Sequence, residues 1–222
     1  AGVAHQINNP IGAILNCAEY ALLCREDDEA LAIYERALRD NLAEARRCAQ
    51  IVRSMLQFSR EQPTTKWVED LNRVTRRAHR AIHAQARERA ATVAITTTDE
   101  PLLIRMSPIE LEQAIVNVLQ NAIESRDRGV AVSVVVERRD KSATIEITDD
   151  GCGIAAEHQD RLFEPFFTTR TRSGGTGLGL SVTHGVVVDH GGQIRIESIP
   201  GVGTRVLIML PLEELPAGAV VG

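Results

Sequence analysis

Apolar residues in the first quarter of the chain recur at helical spacing. From Ile7 they fall at Ile11, Ile14, Ala18 and Ala21, in alternating steps of four and three, with Leu15 and Leu22 flanking the seam. A stripe of this kind packs helices at a shallow angle. After the polar run Arg25-Glu26-Asp27-Asp28-Glu29 a second stripe sets in, with Leu31, Leu38, Ala45 and Val52 every seven residues and Met55 following. Two helices joined by an acidic turn make an antiparallel hairpin, which alone has too little to bury its stripes against. The pattern therefore predicts a homodimer, two hairpins forming a four-helix bundle. Pro63, in Glu61-Gln62-Pro63-Thr64-Thr65, stops the second helix and sets a domain boundary after residue 62.

Beyond Pro63 the period changes. Helices are expected over about 68–89 and 108–126, the second burying Leu111, Ile115, Val118, Leu119 and Ala122. Strand-like alternation follows at Val130, Val132, Val134 and Val136, at Ala143, Ile145 and Ile147, at Ile194 and Ile196, and at Val206, Ile208 and Leu210. Turn signals at Arg139-Asp140-Lys141 and Pro200-Gly201-Val202-Gly203 join neighbouring strands as hairpins. The chain reads as α+β: a helical hairpin over 1–62, then an α/β sandwich over 63–213 whose mixed, largely antiparallel sheet is covered on one face by helices. The tail over 214–222 reads as loose.

Composition narrows the partners. The 222 residues carry 25 Lys and Arg against 30 Asp and Glu, a net charge of −5. No whole-chain basic footprint exists for nucleic acid or an anionic membrane surface. No apolar run approaches the roughly 18 residues that a bilayer span needs, so no membrane contact is expected in this stretch. Cys17, Cys24, Cys48 and Cys152 form no CxxC pair and follow no signal-like segment, which suits a reducing, cytoplasmic setting. Because the helical stripe is under way at the start, the chain reads as a fragment whose upstream sensor or membrane portion is missing.

Several short stretches carry chemistry. In Asp149-Asp150-Gly151-Cys152-Gly153 the alternation of Ala143, Ile145 and Ile147 continues to Asp149, placing its carboxylate on the helix-covered side, where it needs donors. By itself the stretch also reads as an ordinary β-turn. Ser173-Gly174-Gly175-Thr176-Gly177-Leu178-Gly179-Leu180 runs into an apolar helix, and backbone N–H groups at such a terminus cradle phosphate, although a flexible linker has the same composition. It is not a Walker loop, since no GK[ST] closes it. Asn117 and Asn121, four apart, share the helix face opposite the apolar one, with Gln113 and Glu124 nearby. Solvated amides are ordinary there, yet a carbonyl oxygen also suits Mg2+. His79 and His83 are four apart without a third ligand, and His190 before Gly191-Gly192 is explained as a helix cap. His5, in Ala4-His5-Gln6-Ile7-Asn8-Asn9-Pro10, has no partners at zinc-ligand spacing.

Taken in order, His5-Gln6-Ile7-Asn8-Asn9-Pro10, Asn117-Val118-Leu119-Gln120-Asn121-Ala122, Asp149-Asp150-Gly151-Cys152-Gly153-Ile154, Leu162-Phe163-Glu164-Pro165-Phe166-Phe167 and Gly175-Thr176-Gly177-Leu178-Gly179-Leu180 resemble the H, N, G1, F and G2 boxes of bacterial two-component sensor histidine kinases. The resemblance spans nearly the whole chain. It implies a dimeric phosphoacceptor hairpin and a Bergerat-type ATP-binding domain. It also implies autophosphorylation of His5 from ATP, then transfer to an aspartate of a response regulator.

By the same resemblance, Asn121 is the Mg2+ ligand and Asn117 faces the phosphates. Asp149 accepts from the adenine amino group, Gly151 and Gly153 let the chain pass along the base, and Thr204 places a hydroxyl near it. Gly175, Thr176, Gly177, Leu178, Gly179 and Leu180 line the triphosphate. Phe163, Phe166 and Phe167 belong to the covering segment, with Arg170 and Arg172 beside it. The gyrase, MutL and Hsp90 ATPases carry a glutamate where this chain has Asn117, and an amide cannot accept the proton of a hydrolytic water. The family usually has an acidic residue after the phosphoacceptor; here it is Gln6, which can orient the ring but cannot hold its proton. Asn9, one turn on, matches the position that orients water for dephosphorylating the partner. The departure at Gln6 leaves open an ATP-binding pseudokinase or scaffold acting by dimerisation or as a phosphatase.

Overall fold

The computed structural model describes residues 2–24, 29–58, 65–170 and 175–213; for 2–6, 47, 50, 51 and 53–58 it describes the backbone alone. The chain divides into two compact units, one of residues 1–61 with 165–178 and one of 62–164 with 179–222.

In the first unit the heptad stripes form two helices, α1 (Gly2–Leu23) and α2 (Ala30–Phe58). Small side chains make their closest approach, with Ala21 and Ala37 buried. The larger stripe residues are not covered: Leu15, Leu22, Leu31 and Leu38 remain 56%, 69%, 74% and 69% exposed. One hairpin therefore leaves open the apolar surface from which the dimer was inferred, and each leucine buried elsewhere would add about 1.5–3 kcal/mol. The expected acidic turn, residues 25–28, and the side chain of Met55 lie outside the described residues, as does the tail 214–222.

The second unit opens with a correction. The helix expected over 68–89 is a short strand followed by two helices, β1 (Trp67–Asp70), α3 (Leu71–Ala81) and α4 (His83–Glu88). β1 pairs antiparallel with β3 (Leu103–Met106), a partner far along the chain that helical periodicity cannot reveal.

 The paired positions run from Trp67↔Met106 to Asp70↔Leu103. Asp70 then starts α3 as its N-cap, accepting the Asn72 N–H at 3.0 Å. The helix expected over 108–126 is α5 (Pro108–Ile123), shorter at its C-terminus, with Pro108 in the first turn where a missing N–H costs nothing. Its predicted face, Leu111, Ile115, Val118, Leu119 and Ala122, is buried to 4% exposure or less.

The remaining elements are β2 (Thr92–Thr97), β4 (Ala131–Arg139), β5 (Ser142–Asp149), α6 (Ala156–Gln159), α7 (Gly179–Asp189), β6 (Gln193–Ile199) and β7 (Gly203–Pro211). The main sheet has the order β2-β4-β5-β7-β6; β2 runs parallel to β4 and the other neighbours are antiparallel. Val132, Val134, Val136, Ile145, Ile147, Val206 and Ile208 point into the core that α3, α5 and α7 cover. The opposite face carries a charged row, in which Arg205 bonds Glu146 at 2.7 Å and Glu197 at 3.1 Å.

The end of α7 is tied to the start of α5 through His190. Its Nε2 accepts the Ser107 N–H at 2.9 Å while Nδ1 donates to the Val186 carbonyl at 2.7 Å, so the ring is neutral and both nitrogens are used. Glu110 and Asp189 approach the same ring, but with no nitrogen lone pair left and Asp189 paired to Lys66 Nζ at 2.6 Å, the group is a cap and not a metal centre. Burial holds the His190 ring below the usual histidine value of 6.5. Since the folded state prefers the neutral ring, its contribution to stability is complete above that value and is lost as pH falls below it. His190→Ala is expected to cost about 1–3 kcal/mol at pH 8 by leaving the Ser107 N–H unpaired. Thermal melts from pH 8 to pH 5 check this, because the difference between native and variant should shrink on acidification.

Candidate functional site

Three strands end side by side beneath the helices. Thr204, near the start of β7, lies opposite Asp149 on β5 and opposite Ser198 on β6, so the three side chains form one row on the inward face. Asp149 is 7% exposed. Its carboxylate accepts the Gly151 N–H at 2.9 Å and is also approached by the Thr204 N–H and the Ser125 hydroxyl. Burial nevertheless outweighs those donors and pushes its carboxyl above the ordinary aspartate value. A carboxylate has about four acceptor positions, so one more donor, from a ligand, can still be received and would favour the charged form.

Glycine at two positions permits this packing. A Cβ on Gly151 would stand 1.9 Å from the Ser125 Oγ, so the end of α5 and the Asp149 turn can meet only if it is absent. Gly203, at φ +144°, would set a Cβ 2.0 Å from the Asp149 carbonyl. Gly153, as expected from its place in the turn, runs beside the backbone carbonyl of Ile199.

The amide face of α5 lies beside the start of α7. Asn117 accepts from the Gln113 amide at 3.2 Å and donates to the Gly179 carbonyl at 3.5 Å, and both Asn117 and Asn121 are half-buried one turn apart. α7 begins at Gly179, with Leu180 in its first turn. Phe163, whose ring centroid is 4.8 Å from that of His184, packs on the same helix.

The glycine-dense loop belongs to the first unit and closes on itself. The Phe166 N–H donates to the Gly177 carbonyl at 2.9 Å, and the Gly175 N–H to the Arg170 carbonyl at 3.0 Å. Phe166 is at φ +71°, and a Cβ on Gly177 would lie 2.4 Å from its carbonyl carbon. Thr176 and Leu178 are buried, and Phe167 and Arg170 are half-buried. Arg172 lies outside the described residues.

On α1, His5 and Gln6 occupy helical backbone, and their side chains lie outside the described residues. Asn9 is exposed one turn further along, and Pro10 is buried inside the helix. Proline lacks the N–H that would bond the Gln6 carbonyl four residues back, so the helical ladder is interrupted at the residue next to His5.

Ser125, Ser198 and Gly203 join the site without having been singled out beforehand. The alternation of Ile194 and Ile196, carried on by two, reaches Ser198 and was the signal available for it. An open concavity of about 620 Å3 lies at the same end of the sheet. Its lining joins Thr92, Ala94, Ser133 and Thr148, which alternate with core residues and face away from the helices, to Asp149, Ser198 and Thr204 at the strand ends.

A family model described as the histidine kinase-, DNA gyrase B-, and HSP90-like ATPase matches residues 106–214, and the His Kinase A (phospho-acceptor) domain model matches residues 1–64. Fold and site thus define a phospho-acceptor hairpin joined to an ATPase-type nucleotide domain. The chain belongs to the two-component sensor histidine kinases. It is 32% identical over 213 residues to the sensor histidine kinase ZraS of Escherichia coli K12, covering 96% of this chain and 44% of that protein. It is 32% identical over 219 residues to the sensor-like histidine kinase SenX3 of Mycobacterium tuberculosis H37Rv, covering 95% of this chain and 52% of the relative. The chain therefore spans about half the length of the curated relatives it matches. Among solved structures, histidine kinase ThkA in complex with response regulator protein TrrA superposes with a TM-score of 0.76 at 25% identity, over 95% of this chain and 60% of that one. No helix among the described residues is long and apolar enough to cross a membrane.

Proposed function

We propose that this chain is an autokinase core that uses ATP and Mg2+ to phosphorylate His5 within a homodimer and passes the phosphoryl group to an aspartate of a response regulator. The buried Asp149 carboxylate, in one domain with the Asn117–Gly179 contact, carries the nucleotide half of this reading. The ATPase-type family match over the same residues supports it.

Asp149 takes the adenine amino group, Thr204 adds a hydroxyl, and Gly151 and Gly153 bring backbone against the base. Asn117 fixes the start of α7 toward the phosphates, and the box pattern assigns the triphosphate also to Gly175 through Leu180, with Phe166, Phe167 and Arg170. Amide oxygens are hard donors of the kind Mg2+ accepts, and Asn121 on the open face of α5 fits as its protein ligand. The ion, when bound, offsets triphosphate charge. In the transfer step the His5 imidazole lone pair forms a bond to the γ-phosphorus, the bond from that phosphorus to the bridging oxygen of ADP breaks, and the ring N–H proton is released to solvent.

The second half rests on the phospho-acceptor match over residues 1–64 and on the ThkA complex, in which a related kinase holds a response regulator. Asn9, exposed one turn from His5, is placed to orient a water and so to support dephosphorylation of that regulator. The cytoplasm supplies both ATP and regulator. Incubation with γ-labelled ATP and Mg2+ tests the reading: an acid-labile, base-stable label on the protein is expected, and tight ATP binding without label would favour the scaffold alternative.

Gln6 sets the rate. Its carbonyl can accept the imidazole N–H and fix the tautomer, but it offers no charge to the imidazolium that develops. Gln6→Glu is therefore expected to raise the initial labelling rate by about 10-fold or more, within the range general-base groups supply. An unchanged initial rate at saturating ATP would count against that role.

A further inference from the structure

Ser198 lies on β6 beyond the residues assigned to the nucleotide, and its hydroxyl makes three contacts. The Ile154 N–H donates to Ser198 Oγ at 2.8 Å, Ser198 Oγ donates to the Gly203 carbonyl at 3.0 Å, and the Thr204 hydroxyl lies 2.9 Å away. A serine hydroxyl has one proton and two lone pairs. A carbonyl can only accept, so that proton goes to Gly203, and one lone pair goes to Ile154. The remaining lone pair faces Thr204, which must therefore be the donor in the contact between the two hydroxyls.

The polarity of Thr204 follows. With its proton committed to Ser198, Thr204 Oγ1 presents only lone pairs to whatever occupies the space beside Asp149. Gln159 holds the arrangement in place, donating from Nε2 to the Ser198 carbonyl and to the Ile154 carbonyl, each at 3.0 Å. β6, β7 and the segment after the Asp149 turn are thereby joined around one serine.

We infer that Ser198 is a specificity-determining positioning residue: by holding the Thr204 hydroxyl as an acceptor, it makes the site select a purine with a 6-amino group over one with a 6-oxo group. A 6-amino group offers protons to Asp149 and to Thr204, directly or through water. The oxygen of a 6-oxo group meets two acceptors and no donor, so its lone pairs are left unpaired even though the N1–H that accompanies it can still be accepted. Without Ser198, the Thr204 hydroxyl turns freely and can donate to the oxygen.

This inference rests on the nucleotide reading above, and the test separates the two. Binding of ATP and of ITP, which has a 6-oxo group and an N1–H in place of the 6-amino group and bare N1, is measured by calorimetry for the native chain, Ser198→Ala and Ser198→Thr. The native chain is expected to favour ATP. Ser198→Ala should narrow the ATP-to-ITP preference by about 5-fold, the worth of one hydrogen-bond polarity, chiefly through tighter ITP binding. Ser198→Thr, which keeps the hydroxyl, should restore the preference. A purely structural role would weaken both nucleotides alike and leave the ratio unchanged, and that outcome overturns the inference while leaving the nucleotide reading intact. A native chain that binds neither nucleotide overturns both. Should Ser198→Ala unfold, Thr204→Val supplies the comparison: with no hydroxyl left to orient, it too should narrow the ratio, and an unchanged ratio there overturns the inference.

Discussion

His5→Ala is expected to abolish the acid-labile label while leaving ATP affinity within about 2-fold of the native chain, since it alters none of the residues assigned to the nucleotide. The substitution removes the atom that would form the new bond to phosphorus, so the loss should be at least roughly 10³-fold and is not recovered by raising ATP. The nucleotide residues, Asn117, Asn121, Asp149 and Thr204, all belong to the unit of residues 62–164 and 179–222, whereas His5 belongs to α1 of the other unit. Alanine is also a strong helix former, so α1 should persist, and the circular dichroism of the variant should match the native chain. Label persisting on His5→Ala would move the phosphoacceptor elsewhere; His184 on α7 and His158 on α6 would then be the first residues to replace.

The inward direction of Asp149 is legible in the sequence through periodicity, whereas His5 is singled out only by the resemblance of the ordered boxes that it opens. Repeating patterns of seven, and of two, assign residues to faces, and faces decided most of the site: Asp149 inherits its inward direction from Ile145 and Ile147, and Asn117 and Asn121 inherit theirs from the apolar face of α5. Pairing between distant segments leaves no such mark. β1 was absorbed into a helix because its partner β3 lies far along the chain and four residues carry too little alternation to register. Ser198 was missed for a related reason: its place beside Thr204 is a property of the β6–β7 register, and only the hydrogen bonds of the folded sheet reveal what its hydroxyl controls. Glycines were read by their density in the loop near Gly175, yet the tightest approach in the sheet is made by Gly203, where a turn signal concealed a contact with the Asp149 carbonyl.

Asp149→Asn should weaken ATP binding by about 10- to 100-fold, the range for removing a charged hydrogen-bond acceptor. The amide keeps one carbonyl oxygen, but its NH2 would confront the N–H groups of Gly151 and Thr204, which already point at this carboxylate as donors, and the Ser125 hydroxyl, whose proton the Ala122 carbonyl also accepts at 2.7 Å. Either the amide turns its oxygen toward those donors and offers its NH2 to the adenine amino group, or it does the reverse and leaves buried donors unpaired. Both arrangements lose. The native carboxylate also predicts a pH dependence. Burial raises the Asp149 pKa in the free protein above the ordinary 3.8, so its contribution to stability is complete below that value and is lost as pH rises through the raised one. An adenine amino group reverses the preference, because it bonds the carboxylate and not the acid. ATP binding should therefore release a proton near the raised pKa, with affinity full above it and falling up to about 10-fold for each pH unit below it. Titrations from pH 8 down toward the ordinary aspartate value of 3.8, as far as the fold persists, in buffers of different ionisation enthalpy would measure that proton directly. The phosphate groups of ATP titrate identically for both proteins, so the Asp149 contribution is the difference between the native and Asp149→Asn profiles. Parallel profiles would mean that Asp149 does not meet the base.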